Sequence, residues 1–128
     1  MEPGVTAKLI ELKQSWPGAP WSWDGRFAMV ASSFTIDLEP AARASAMHAF
    51  PRGWTTKSID AAPASLKAIA DRSGGLRSNQ RLLAGELDVL YGLWWPWSNG
   101  STITLRIGLA DLDATAEPVV QLRALFGA

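Results

Sequence analysis

The stretch "YGLWWPWSNGSTITLRIGL", residues 91–109, decides how this chain folds. Trp94, Trp95 and Trp97 stand directly before a Ser98-Asn99-Gly100 turn signal, and alternating apolar residues follow it. Asn-Gly between apolar runs marks a β-hairpin, expected here over about residues 82–95 and 101–110. Its register settles which tryptophans face the core. A two-residue Asn99-Gly100 turn would set Pro96 opposite Ile103 at a hydrogen-bonded pair, where proline has no N–H to give. A three-residue Ser98-Asn99-Gly100 loop instead puts Gly100 at a left-handed position and pairs Trp95 with Ile103, Leu93 with Leu105, Tyr91 with Ile107 and Val89 with Leu109. One face becomes continuously apolar, and a one-residue slip would lose it. The expectation is Trp95 in the core and Trp94 on the opposite face, with Arg106 diagonal to its ring and Trp97 closing the end.

Outside the hairpin, Val5, Leu9, Leu12 and Trp16 recur at helical spacing until Pro17 ends the run. "PGAPWSWDG" (17–25) reads as a loop ending in an Asp24-Gly25 turn. Residues 27–38 read as a strand with Val30, Ser32, Phe34, Ile36 and Leu38 on one face. Glu39-Pro40 opens an alanine-rich helix from Ala41 to Phe50, which can lie close to a sheet. "WTTKSI" (54–59) is a candidate short strand. A helix follows from Pro63 to about Arg72, capped by Gly74 or Gly75. The last helix runs from about Asp113 to Phe126, with Val119, Leu122 and Phe126 on one side. This order predicts one α+β domain over residues 1–128: a small mixed or antiparallel sheet packed by about four helices. The repeated "PW" before each turn, "PWSWDG" and "PWSNG", is read as chance use of turn residues.

Composition narrows the function classes. The apolar fraction of 48% and charged fraction of 19% are those of a globular chain. Twelve basic and twelve acidic residues cancel, so no overall field recruits nucleic acid or an anionic membrane. The absence of cysteine excludes disulfides, thiol catalysis and cysteine-ligated zinc. No apolar run approaches about 18 residues, and Met1 to Val5 lacks the pattern of a signal peptide, so a cytoplasmic location is expected. Asn99-Gly100-Ser101 matches a glycosylation acceptor but is read as turn chemistry.

Among candidate sites, Trp94, Trp97 and Arg106, with Trp21 and Trp23 of the earlier loop, form the expected partner-binding surface, because Trp and Arg dominate binding hot spots. Arg72, Arg77 and Arg81 around Gly74-Gly75 are a weaker anion-binding candidate. His48, the single histidine, has no serine or carboxylate at a catalytic spacing. Glu86 and Asp88 are expected on one strand face, as a solvated edge. No catalytic set, metal site or cofactor is expected. The leading expectation is a non-enzymatic protein-interaction domain that binds another protein or its own copy. The rival is a small-molecule binder or enzyme with a Trp-lined pocket and an arginine for an anionic group. A concave pocket would favour the rival, and a flat aromatic patch the interaction domain.

Overall fold

A computed structural model describes all of residues 1–128. In chain order the elements are α1 (Pro3–Ser15), β1 (Ser22–Asp24), β2 (Met29–Thr35), α2 (Glu39–Ala46), β3 (Arg52–Trp54), α3 (Ala64–Arg72), β4 (Arg81–Ala84), β5 (Leu90–Pro96), β6 (Thr102–Leu109) and α4 (Glu117–Leu125). Short 3₁₀ turns cover Ile36–Leu38 and Ile59–Ala61. The strands make one antiparallel sheet in the order β1-β2-β6-β5-β4-β3. Both edge strands are only three residues long, which limits pairing with another chain. The molecule is therefore a small α+β domain with four helices, as its residue order predicts.

The helices divide between the two faces of the sheet. On the first face, Leu9 and Leu12 of α1, Ala42 and Ala46 of α2, and Val119 and Leu122 of α4 bury against Val30, Phe34, Trp94, Ile103, Leu105 and Ile107. The alanines of α2 allow the close approach expected of them. On the second face, Leu66, Ile69 and Ala70 of α3 cover Leu82, Ala84, Tyr91 and Leu93. β5 is consequently buried on both sides, from Leu90 to Trp94 without interruption.

That double burial overturns the expected hairpin register. The observed pairs are Leu90–Leu109, Gly92–Ile107, Leu93–Arg106, Trp94–Leu105, Trp95–Thr104 and Pro96–Ile103. Two apolar faces cannot be told apart by alternation, so the criterion of one continuous apolar face chose wrongly. Side-chain volume fixes the register instead: Gly92 stands opposite Ile107, and Gly108 opposite Tyr91. Pro96 costs nothing, because the Trp97 N–H donates to the Thr102 carbonyl at 2.8 Å and leaves Pro96–Ile103 as a pair needing no donor. The loop has four residues, Ser98 to Ser101, rather than three. Asn99 Oδ1 accepts the N–H groups of Ser101 (2.9 Å) and Thr102 (3.1 Å), taking the place of a backbone acceptor.

Gly100 does occupy the left-handed region, at φ 73°, with nothing within 4 Å of where a Cβ would stand. Any penalty there is conformational and not steric crowding. Gly100→Val is expected to cost about 1–2 kcal/mol and Gly100→Asn much less. Comparing their denaturant midpoints tests this; a valine variant as stable as the parent would contradict the loop geometry.

Other boundaries shift for local reasons. The long run expected over 82–95 is two strands, because Gly85 to Val89 turns the chain between β4 and β5. The short strand predicted at 54–59 is instead β3 at Arg52–Trp54. The stretch read as a loop at 17–25 contains β1. Ile36 and Leu38 leave the strand in a 3₁₀ turn, and Ile36 is exposed. Asp113 precedes α4 and accepts the N–H groups of Thr115 and Ala116.

Candidate functional site

The first face is not covered to its end. The helix α2 has eight residues and stops before the β3–β4 edge, leaving a cleft of about 290 Å³. Trp94 forms its inner wall, 4% exposed, and Phe50 and Leu83 add apolar surface, while Trp54, paired with Leu82, turns its ring to the second-face core. Gly53, opposite Leu83, puts no side chain over the opening. Three arginines stand around it: Arg43 from α2, Arg52 from β3 and Arg81 from β4.

The three guanidiniums differ in what they already hold. Arg43 pairs with Glu39 at 2.8 Å within α2. Arg52 donates to the Gly85 carbonyl at 2.7 and 2.9 Å, pairs with Asp88 at 2.7 Å, and stacks over Trp54 at 5.6 Å. Arg81 forms no ion pair and no hydrogen bond within the protein, and it stands directly opposite Trp94 in the β4–β5 pairing. The cleft thus combines aromatic surface and one unneutralised cation. Its lining holds no carboxylate or histidine.

The sequence-predicted partner surface is not assembled as one patch. Trp94 lies in the first-face core against Phe34, 5.2 Å between ring centres, and not on an open face. Trp21 is half-buried, edge-on to Phe126 at 4.6 Å and tilted against Trp16 at 5.1 Å. Trp23 is half-buried beneath Arg123, 4.7 Å from its ring. Arg106 points to the second face, because it pairs across from Leu93. It stacks on Trp95 at 5.2 Å and Phe27 at 5.7 Å, and its Nε donates to Asp24 at 3.1 Å. Trp97 shares that face, is 51% exposed, and donates its indole N–H to Thr104 at 2.7 Å. Trp95, expected in the core, is half-buried beside Phe27 and carries the one buried side-chain nitrogen without a hydrogen-bond partner.

Asp24 anchors this second-face group. Burial pushes its carboxyl up, but hydrogen bonds from Arg106 and Arg26 outweigh that and hold it below the ordinary aspartate range. Arg106 is accordingly neutralised in place.

The arginine group Arg72, Arg77 and Arg81 is likewise dispersed. Gly74 and Gly75 end α3 at φ 90° and 79°, with the Gly75 N–H on the Ala70 carbonyl at 2.8 Å, as a glycine cap requires. Arg72 lines a cavity on the second face, Arg81 the Trp94 cleft on the first, and Arg77 neither. His48 is exposed and 3.5 Å from Glu11 Oε2. Glu86 and Asp88 sit in the β4–β5 turn and not on a strand, paired with Lys8 and Arg52 respectively. No group of three or more histidine, aspartate and glutamate side chains is placed to hold a metal, and no helix is long and apolar enough to cross a membrane.

Sequence reasoning missed the Leu83 and Arg81 side of the cleft. The signal lay in "RLLAG" (81–85), where an alternating strand begins with an arginine on the same face as Leu83. No protein-family model, curated protein or solved structure matches this chain.

Proposed function

We propose that this chain is a small-molecule-binding protein that holds an apolar or aromatic carboxylate in the Trp94 cleft. Arg81 pairs with the carboxylate, and Trp94, Phe50 and Leu83 take the apolar body. The observation that carries this reading is the free Arg81 guanidinium opposite Trp94, beside two arginines that are already neutralised. Convergent polar groups in an apolar concavity are the usual form of a ligand site, and the volume is at the small end of that range. The role assigned from the sequence to Arg106 falls in this reading to Arg81.

Calorimetric titration with phenylpropionate and its neutral amide tests it. A charge-assisted hydrogen bond contributes about 1.5–3 kcal/mol, so Arg81→Ala is expected to weaken acid binding by tenfold or more. The amide should bind weakly to both proteins. Equal affinity of the parent for acid and amide, or no binding of either, would sink the proposal.

A second reading rests on the half of the second face that no helix covers. There half-buried Phe27 and Trp95, stacked with Arg106, and exposed Trp97 present aromatic surface, the kind that anchors a protein partner. It keeps the interaction-domain expectation, with Trp95 and Phe27 in place of Trp94.

A further inference from the structure

The second face also holds a cavity of about 580 Å³, bounded by the end of α3, the β1–β2 turn and the segment after β6. Tyr91 reaches into this region across β6. Its ring lies over Gly108, where a Cβ would stand 2.7 Å from the Tyr91 Oη. The residue is 6% exposed, yet its hydroxyl makes no hydrogen bond to any protein group. The oxygen is not sealed in the core, so the cavity presents a phenol O–H that no protein group uses. Burial pushes the Tyr91 pKa up to about 12, against a smaller opposing pull from Arg72, so the group remains an O–H donor at ordinary pH.

Two opposite charges line the same cavity without neutralising each other. Arg72 and Asp111 form no ion pair, either together or with any other side chain. Arg26, also at the rim, is already held by Asp24 at 3.5 Å. A plain anion would pair with Arg72 but face Asp111, and a plain cation would meet the reverse. The walls are also strained in a matching way. Ala28, beside Phe27, has φ 54° and Asp111 has φ 60°, and these are the two non-glycine residues with positive φ in the chain. Such strain collects at ligand sites, where the surrounding structure holds it in place.

We infer that this cavity binds a small zwitterion, an apolar amino acid or short apolar peptide. Its carboxylate meets Arg72 and the Tyr91 hydroxyl, its ammonium meets Asp111, and its side chain lies against Phe27, Met29 and Ile69. This site is separate from the Trp94 cleft and does not depend on it.

The test is calorimetric titration of the full chain with leucine, leucyl-leucine, isocaproate (no amine) and isoamylamine (no carboxylate). Leucine or leucyl-leucine is expected to bind at least tenfold more tightly than either half-ligand, and whichever of the two binds tighter identifies the source. Arg72→Ala and Asp111→Asn should each weaken that binding tenfold or more, and Tyr91→Phe several-fold. Asparagine tolerates the left-handed backbone at position 111, so the variant removes charge without refolding the wall. Thermal melts of each variant confirm the fold. Arg81→Ala should leave leucine binding unchanged; its loss in that variant would move the ligand to the other cleft and overturn the assignment. Isocaproate binding as tightly as leucine, indifference to Asp111→Asn, or no binding of any probe would overturn it as well.

Discussion

Trp94→Ala is expected to lower the free energy of unfolding by about 3–5 kcal/mol, and Trp95→Ala by clearly less. Trp94 is 4% exposed, opposite Leu105, against Phe34, and inside the core that α1, α2 and α4 cover. Truncating it removes a large buried ring and leaves a cavity that helices on a rigid sheet cannot close. Trp95 is half-buried between Phe27 and Arg106. Its indole N–H is buried without a partner, so alanine also removes an unsatisfied donor and recovers part of the loss. Denaturant unfolding of the two variants decides the matter. Equal losses, or a larger loss at Trp95, would contradict the observed register and restore the one expected from alternation.

That reversal shows where the sequence was legible. Helix α1 could be read from Val5, Leu9, Leu12 and Trp16, because one face of it is buried and the other is not. The same holds for Leu66 and Ile69 in α3 and for Val119, Leu122 and Phe126 in and just after α4. Periodicity reports burial on one side. β5 has burial on both, so residues 90–94 offered no contrast from which to choose a face. The information that does choose is volume: glycines at 92 and 108 mark where large groups on the facing strand and on Phe50 need space. A reading that paired large with small would have found the register.

The candidate sites were legible as residue types and not as places. An aromatic wall with an arginine does occur, but the arginine is Arg81, 17 positions before the Ser98 that opens the hairpin turn and adjacent to Trp94 only through the β4–β5 pairing. Arg106 was one residue out of phase, and a one-residue error in register moves a side chain to the opposite face. It therefore stacks on Trp95 rather than Trp94. Arg72 and Arg81 flank one glycine-rich loop, yet the chain between them crosses from one side of the sheet to the other. Tyr91 carried no signal at all, since a tyrosine in a strand is ordinary and its missing hydrogen-bond partner is a property of the fold.

Gly108→Val is expected to cost about 3 kcal/mol and to expel the Tyr91 ring from its place over β6. A Cβ at position 108 would lie 2.7 Å from Tyr91 Oη and 2.8 Å from its Cζ, so the ring must move, and 3.0 Å from the Met29 side chain, which must give slightly. The ring is packed by α3 and the β2 side chain Met29, so it can yield only toward the neighbouring cavity. Tyr91 is the single tyrosine of the chain, so tyrosinate absorbance reports this one group. In the parent, burial pushes its pKa up to about 12, and its ionisation midpoint is expected there. The folded value is raised above the unfolded value of about 10, so the stabilisation from the neutral phenol is complete below about pH 10 and is lost as pH rises toward 12. With the ring displaced into water, the midpoint should fall back toward about 10 and this alkaline loss of stability should disappear. A valine variant that still titrates near 12 and unfolds at the parent's denaturant midpoint would mean that Tyr91 does not lie across Gly108, and the zwitterion cavity would lose its hydroxyl with it.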